Sequence, residues 1–200
     1  RLGRVWKSKS GDGIWMSLII KPKIEPYKAP FLTLVAGASV VKALSNLGVE
    51  VSIKWPNDII VHNKKICGIL TELSAEMERV NYVVIGIGIN IKTIDFPDEI
   101  KEKATSLYKE GYKLSRVDIV RQFCIEFEKL YKGYILDGNK QDTLELCRKY
   151  SAIIGKQVYV IKNNKRELVK CIDINENGNL IVKEKNGEIQ EIMSGEVSIR

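Results

Sequence analysis

The segment that decides the fold of this chain is Lys54-Trp55-Pro56-Asn57-Asp58, which is followed by Lys65-Ile66-Cys67-Gly68-Ile69-Leu70. The residues before it alternate between apolar and polar side chains, which predicts a β-strand at about 49–54. Proline has no backbone N–H to donate to a sheet, so Pro56 ends this strand. Further strands are predicted at about 58–62 and 65–73, joined as a hairpin by a polar turn.

The polar side chains of this hairpin suggest a binding site. Asn57 and Asp58 come directly after the first strand ends, and Lys54 and Lys65 flank them in sequence. An amide, a carboxylate and two ammonium groups on one hairpin could hold a metal–phosphate group. The alternative interpretation is an ordinary surface hairpin, because Asn and Lys are common in turns.

A second segment, Val83-Val84-Ile85-Gly86-Ile87-Gly88-Ile89-Asn90, has the pattern of a buried strand interrupted by two glycines. This strand is predicted at about 80–91. The apolar run from Ile14 to Ile20 is likewise predicted to be a buried strand. Glycine weakens a strand and often marks a place where a ligand approaches the backbone. A dinucleotide-binding motif would need a third glycine at position 91, which is Ile, so this pattern argues against a nicotinamide site.

The chain opens with Arg1-Leu2-Gly3-Arg4-Val5-Trp6, which places two cations and an aromatic residue around a glycine. This composition is typical of a loop that becomes ordered only when an anion binds; a frayed chain end is the alternative. Because there is no initial Met, we expect the full-length protein to have residues before Arg1.

Together these motifs resemble those of the biotin protein ligases. That family carries GRGRxGRxW, KWPND, KxxGIL and GxGxN in this order. Residues 1–6 match the last six positions of the first motif, and the other three matches are complete. The C-terminal Gly195-Glu196-Val197-Ser198-Ile199-Arg200 resembles the closing GE(I/V)S(I/L)R of the family.

The resemblance implies an α+β fold: a class II aminoacyl-tRNA synthetase-like mixed sheet with helices, and a small C-terminal SH3-like β-barrel. The catalytic domain, which would bind biotin and ATP, is expected at 1–153 and to be incomplete at its N-terminus, with the barrel at 154–200. The residue patterns agree with this. Apolar spacing predicts helices at 31–47, 115–136 (with a capping box at Ser115) and 143–150. Short strands joined by Asn-Gly and similar turns are predicted at 157–162, 167–172, 179–183, 188–192 and 196–200.

The resemblance also implies a reaction and a set of site residues. Biotin and ATP give biotinyl-5′-AMP and pyrophosphate, and the biotinyl group passes to a lysine of a biotin carrier domain. The expected catalytic residues are Lys65, Arg1 and Arg4. The expected biotin contacts are Lys65, Gly68, Ile69, Leu70, Gly86, Ile87 and Trp6. The expected ATP contacts are Arg1, Arg4, Lys54, Asn57, Asn90 and Arg200. Asp58 is the expected ligand of Mg²⁺.

Composition narrows the alternatives. The net charge of +7 and the pI near 9.1 suit an anionic partner such as a nucleotide, an acidic protein or a nucleic acid. Four widely separated cysteines with no CxxC pair predict free thiols in the cytoplasm, without zinc or disulfides. No run approaches the ~20 apolar residues of a membrane span, so no membrane partner is expected. The single histidine, His62, lies in a polar turn and is expected to be solvated.

Two other functions compete with the biotin ligase hypothesis. A lipoate or octanoyl ligase has a similar fold, but those families lack the KWPND element. The second competing function is that of a basic nucleic-acid-binding module. The C-terminal strands contain one aromatic residue, Tyr159, which is little support for a surface on which bases stack. DNA binding is expected only if a further N-terminal domain exists, and a homodimer is left open.

Overall fold

The computed structural model describes residues 11–162, 165–193 and 195–199. The elements, in chain order, are β1 (Gly13–Ile20), a 3₁₀ helix (Pro26–Lys28), α1 (Phe31–Asn46), β2 (Ser52–Lys54), β3 (Asp58–Val61), β4 (Lys64–Ala75), β5 (Val80–Asn90), α2 (Arg116–Asp137), α3 (Gln141–Lys149), β6 (Gln157–Lys162), β7 (Lys165–Ile174), β8 (Leu180–Lys183), β9 (Ile189–Ile192) and β10 (Glu196–Ile199).

The first five strands form one sheet in the order β1-β5-β4-β3-β2, and every neighbouring pair is antiparallel. α1 covers one face of this sheet, where the Cδ1 atom of Ile69 lies beside Gly37 and the hydroxyl of Thr33 donates to that of Thr71. One row of side chains on this face crosses all five strands and is at most 6% exposed. The row consists of Ile53, Ile59, Cys67, Ile89 and Ile14. Burial of each isoleucine contributes about 1.5–3 kcal/mol to the free energy of unfolding, so this face of the sheet is held against the core.

α1 is the central helix of the molecule, packed between the sheet and both α2 and α3. By length and composition alone, the segment Pro26–Asn46 could cross a membrane. In the fold, 72% of its apolar window is buried. Apolar residues lie all around α1 because the helix packs against the sheet on one side and against α2 and α3 on the other.

Two local expectations are wrong. The run from Ile14 to Ile20 was expected to be a buried strand, but β1 is an edge strand whose residues alternate in burial, with Trp15 and Ile19 exposed. Ser115 is the N-cap of α2, yet its side chain makes no capping hydrogen bond. The predicted helices and strands are otherwise found within a few residues of their expected ends.

The last five strands form a second antiparallel sheet in the order β10-β6-β7-β8-β9. Its β7–β8 turn contacts the first domain, where the indole N–H of Trp55 donates to the carbonyl oxygen of Gly178 at 2.9 Å. Gly178 has φ +83°, and a Cβ there would overlap Leu34 of α1, so only glycine fits. Arg148 of α3 bonds to Asp173 at 2.8 Å across the same junction. The expected α+β class with a small C-terminal β domain is confirmed; the boundary at 153/154 stays a prediction.

Candidate functional site

The sheet face away from α1 carries polar groups and glycines where the other face carries isoleucines. Side chains of directly paired antiparallel residues lie on the same face, so the strand register defines a row across the sheet. Each residue of a second row is the sequence neighbour of a residue of the core row described above, so the second row crosses the same five strands on the open face. It consists of Lys54, Asp58, Gly68, Gly88 and Trp15.

Three glycines on this face have no side chain of their own, and we call them the glycine floor: Gly68, Gly86 and Gly88. Gly68 pairs with Gly88, and Gly86 lies two residues before Gly88 on β5, so all three share one face. A Cβ at Gly86 would come no closer than 3.6 Å to the carbonyl oxygen of Leu70. A Cβ at Gly86 therefore makes only ordinary contacts with the described residues, and packing among those residues does not explain the glycine.

A charged cluster borders the glycine floor. The ammonium group of Lys65 lies 2.5 Å from Asp58 Oδ1, and that of Lys54 lies 3.9 Å from Asp58 Oδ2. The three side chains are between 21% and 34% exposed. One carboxylate between two ammonium groups leaves the cluster with a net positive charge. This arrangement suits the binding of an anion beside the floor.

Asn57 and Asn90 both use their amide groups to hold backbone. The side-chain N–H of Asn57 donates to the carbonyl oxygen of Ile69 at 2.7 Å, and the backbone N–H of Ile69 donates back to Asn57. Asn90 is 6% exposed and donates to the carbonyl oxygen of Thr105 at 3.1 Å. Asn90 comes two residues after Gly88 on β5, so its side chain lies on the same face as the glycine floor. Their expected contacts with ATP stay predictions.

The expected biotin contacts divide between the two faces of the sheet. Gly68, Leu70 and Gly86 lie on the open face, and Leu70 is 45% exposed. Ile69 and Ile87 pair with each other on the face covered by α1, and each is 2% exposed. Their side chains therefore belong to the core, because neighbours in a strand point to opposite faces.

Sequence reasoning missed three residues of this face. Trp15 and Ser17 of β1 pair with Gly88 and Gly86, so β1 borders the floor. The indole of Trp15 lies across Gly13, where a Cβ would come within 2.5 Å of the ring. The spacing of two between Gly86, Gly88 and Asn90 could have assigned Gly88 to the site. No signal in the apolar run around Trp15 could have identified that residue.

Four expected site residues lie outside the described part of the chain. They are Arg1, Arg4, Trp6 and Arg200. Their expected roles in phosphate and biotin binding stay predictions.

Cysteine chemistry is not part of this site. Burial raises the pKa of Cys67 and of Cys147 to about 12, and that of Cys171 to about 11. A thiol must ionise to act as a nucleophile, so these three are inert near neutral pH. Cys67 belongs to the isoleucine row, so its side chain points into the core, on the face of the sheet opposite to that of Asp58.

No group of three or more His, Cys, Asp or Glu side chains that could hold a metal ion occurs among residues 11–162, 165–193 and 195–199. Asp58 is the one carboxylate of the charged cluster, and both its oxygens face lysines. Mg²⁺ is commonly held by one or two carboxylates together with substrate phosphates. The residues present fit Mg²⁺ only if a nucleotide supplies further oxygens.

Two family models match the chain. Residues 1–90 match the Biotin/lipoate A/B protein ligase family, and residues 153–200 match the Biotin protein ligase C terminal domain. The first match contains Lys65 and the whole glycine floor, and the second contains the C-terminal sheet.

Curated relatives and solved structures agree with these matches. The chain is 40% identical over its whole length to the bifunctional ligase/repressor BirA of Bacillus spizizenii, and 28% identical to that of Escherichia coli; it spans 62% of the length of each. Among solved structures it is similar to the biotin protein ligase from Aquifex aeolicus in complex with biotin and ATP. That match has a TM-score of 0.84 and 29% identity, and covers 100% of this chain and 83% of the other.

Proposed function

Since this chain belongs to the biotin protein ligase family, we propose that it forms the catalytic part of an ATP-dependent biotin ligase. In the first step, a carboxylate oxygen of biotin attacks the α-phosphorus of ATP. The bond to the β-phosphate oxygen breaks, and biotinyl-5′-AMP and pyrophosphate result. In the second step, the ε-amine of a carrier-domain lysine attacks the acyl carbon, AMP leaves, and the amine loses a proton.

The observation that carries this proposal is the position of the charged cluster beside the glycine floor. Both reactants of the first step are anions, so catalysis depends on neutralising charge and on bringing two groups together. Lys65 supplies a cation at the edge of a surface that, among the described residues, consists of glycine backbone. An apolar ligand can lie flat on that surface with its carboxylate at the ammonium group.

The floor is the proposed site of the biotin rings. Gly68 and Gly86 allow a ligand to approach the backbone, and the exposed side chains of Leu70 and Trp15 border the floor on either side. Lys54 and Asn90 lie on the same face as the floor, and we propose that they contact the nucleotide together with Asn57. Arg1, Arg4, Trp6 and Arg200 are proposed to complete the site from the segments outside the described residues.

Asp58 has a proposed double role. With Lys65 at 2.5 Å, it holds the lysine ammonium at the edge of the floor. Together with nucleotide phosphates it would also be a ligand of Mg²⁺, which would neutralise phosphate charge when bound. The two roles predict different kinetics for the loss of the carboxylate charge.

Replacement of Asp58 by Asn tests these roles. If Asp58 is a metal ligand, Asp58→Asn raises the Mg²⁺ concentration for half-maximal adenylation by about tenfold, because a hard cation loses a charged oxygen. ATP-independent biotin binding changes little. Adenylation rates measured across a Mg²⁺ titration give the midpoint. An unchanged midpoint with a lower maximal rate would remove Asp58 from the metal site and leave the role of holding Lys65.

The proposed partners follow from the reaction. They are biotin, ATP and a carrier domain that presents the acceptor lysine. We propose a cytoplasmic location, because the buried cysteines of the described residues are free thiols. A DNA contact is proposed only for a further N-terminal domain, if the full-length protein has one. Whether the protein dimerises is a question for size-exclusion chromatography.

The nucleic-acid hypothesis has little support from the second sheet. Its one aromatic residue of interest, Tyr159, has the guanidinium group of Arg166 stacked over its ring at 3.8 Å. A stacking platform for bases needs an open aromatic face. The lipoate or octanoyl ligase hypothesis differs from the biotin ligase hypothesis in the acid that is adenylated, so a comparison of substrates distinguishes the two.

The test is adenylate formation by the full-length protein. With ATP, Mg²⁺ and biotin, and no carrier domain, we expect biotinyl-5′-AMP and pyrophosphate; adding a carrier domain converts the adenylate to biotinylated carrier. Lipoate and octanoate in place of biotin serve as controls and should give no acyl-adenylate. Adenylation of octanoate in preference to biotin would support the alternative, and no adenylate from any of the acids would contradict both.

A further inference from the structure

The segment between β5 and α2 contains a buried turn that touches two proposed site residues. Thr105 is 1% exposed. Its backbone N–H donates to the carbonyl oxygen of Lys65 at 2.9 Å, and its own carbonyl oxygen accepts the side-chain N–H of Asn90 at 3.1 Å. Thr105 therefore bonds to Lys65 and to Asn90 at the same time.

The neighbours of Thr105 extend these contacts. The N–H of Lys65 donates to the carbonyl oxygen of Lys103 at 2.8 Å, so Lys65 is held by two bonds at its backbone. The N–H of Leu107 donates to the carbonyl oxygen of Asn90 at 3.1 Å. A lysine side chain has four rotatable bonds, and the place its ammonium group reaches depends on how firmly its backbone is fixed.

A carboxylate fixes Thr105 in turn. The hydroxyl of Thr105 donates to Glu110 Oε1 at 2.6 Å, and Nδ1 of His62 lies 2.6 Å from Glu110 Oε2. The carboxyl group of Glu110 is only 15% exposed. Its partial burial alone would raise its pKa, but the hydrogen bonds from Thr105 and His62, with the nearby charges of His62 and Lys64, lower it overall. Glu110 is therefore an ionised acceptor near neutral pH.

We propose that Thr105 and Glu110 are positioning residues for adenylate formation: Glu110 orients Thr105, and Thr105 holds the backbone of Lys65 and the side chain of Asn90. This inference rests on the proposed function. Neither residue needs to touch biotin or ATP. Because a displacement of about 1 Å in a charged group can reduce a rate by about 10²-fold, partial loosening of Lys65 should lower kcat by roughly tenfold.

The test compares three variants of the full-length enzyme. Thr105→Val keeps the shape but removes the hydroxyl, and Thr105→Ser keeps the hydroxyl. Thr143→Val is the matched control, because Thr143 is also buried and its hydroxyl has no hydrogen-bond partner among the described residues. We expect Thr105→Val to lower kcat for pyrophosphate release about tenfold with both KM values within about twofold, Thr105→Ser to keep at least half of kcat, and Thr143→Val to leave it unchanged.

Amide hydrogen exchange separates this inference from the proposed function. Faster exchange at the amides of Lys65, Thr105 and Leu107 in Thr105→Val supports the holding role, even if the wild-type protein proved to make no biotinyl-5′-AMP. Glu110→Ala, which removes the acceptor of the Thr105 hydroxyl, provides a second variant if Thr105→Val does not fold, and the same loss of kcat and the same faster exchange are expected of it. Unchanged exchange at these amides, unchanged kcat in Thr105→Val, or equal loss in Thr105→Ser would each overturn the inference.

Discussion

Replacing Lys65 with alanine is expected to lower the rate of biotinyl-5′-AMP formation by about 10²–10³-fold, with a much smaller effect on ATP binding. The ammonium group of Lys65 lies at the edge of the glycine floor, held by Asp58 at 2.5 Å. A preorganised donor aimed at developing charge contributes about 2.7–4 kcal/mol to transition-state stabilisation. Lys54 lies farther from the same carboxylate, at 3.9 Å, and is not placed to substitute for Lys65.

Pyrophosphate release at saturating ATP and biotin measures this effect. Lys113→Ala is the control. Lys113 is an exposed lysine of the loop before α2, and its replacement by alanine removes the same charge from the protein. Circular dichroism should show that both variants fold. A rate for Lys65→Ala within about threefold of wild type would remove Lys65 from the chemistry, since a lost catalytic donor costs far more.

The second large effect is expected at the glycine floor. Replacing Gly86 with valine should weaken biotin binding by about 10–100-fold, because overpacking a filled site costs about 1–3 kcal/mol. Valine would project from the floor between Ser17 and Leu70, where we place the biotin rings. The fold itself should tolerate the change, since a Cβ at Gly86 makes only ordinary contacts and valine favours strands.

Calorimetric titration with biotin and thermal unfolding, carried out on the same samples, separate the two effects. Gly37→Ala is the control on the other side of the sheet, where a Cβ would lie 3.9 Å from the Cδ1 atom of Ile69. It should leave biotin affinity unchanged. Wild-type affinity in Gly86→Val would show that biotin does not lie on the floor. A large loss of thermal stability in Gly86→Val would instead show that the glycine is needed for the fold.

Local sequence patterns were sufficient to identify most elements of the fold. The 3.6-residue spacing from Phe31 predicted α1, and Pro56 ended a strand because it lacks an N–H. These signals depend on a residue and its near neighbours in the chain, so they can be read without knowing the fold. Ordered motifs from Lys54 to Asn90 also indicated the family, because several matches in a fixed order are far more specific than one.

The side of the sheet on which each residue lies was decided by the tertiary structure. A period of two shows that Ile69 and Leu70 face opposite ways, but it does not show which face α1 covers. The register of five strands aligns Lys54, Asp58 and Gly68 with Gly88 and Trp15, and those pairings join residues distant in sequence.

The sequence by itself determined the helices, the strands, the family and the charged residues Lys65, Asp58 and Lys54. Only the tertiary structure decided that Ile69 and Ile87 belong to the core, that Trp15 borders the floor, and that Thr105 holds Lys65 and Asn90. The physical reason is the range of the interactions. Backbone propensity and side-chain periodicity act within a few residues, whereas burial against α1 and hydrogen bonding to Thr105 depend on segments brought together by folding.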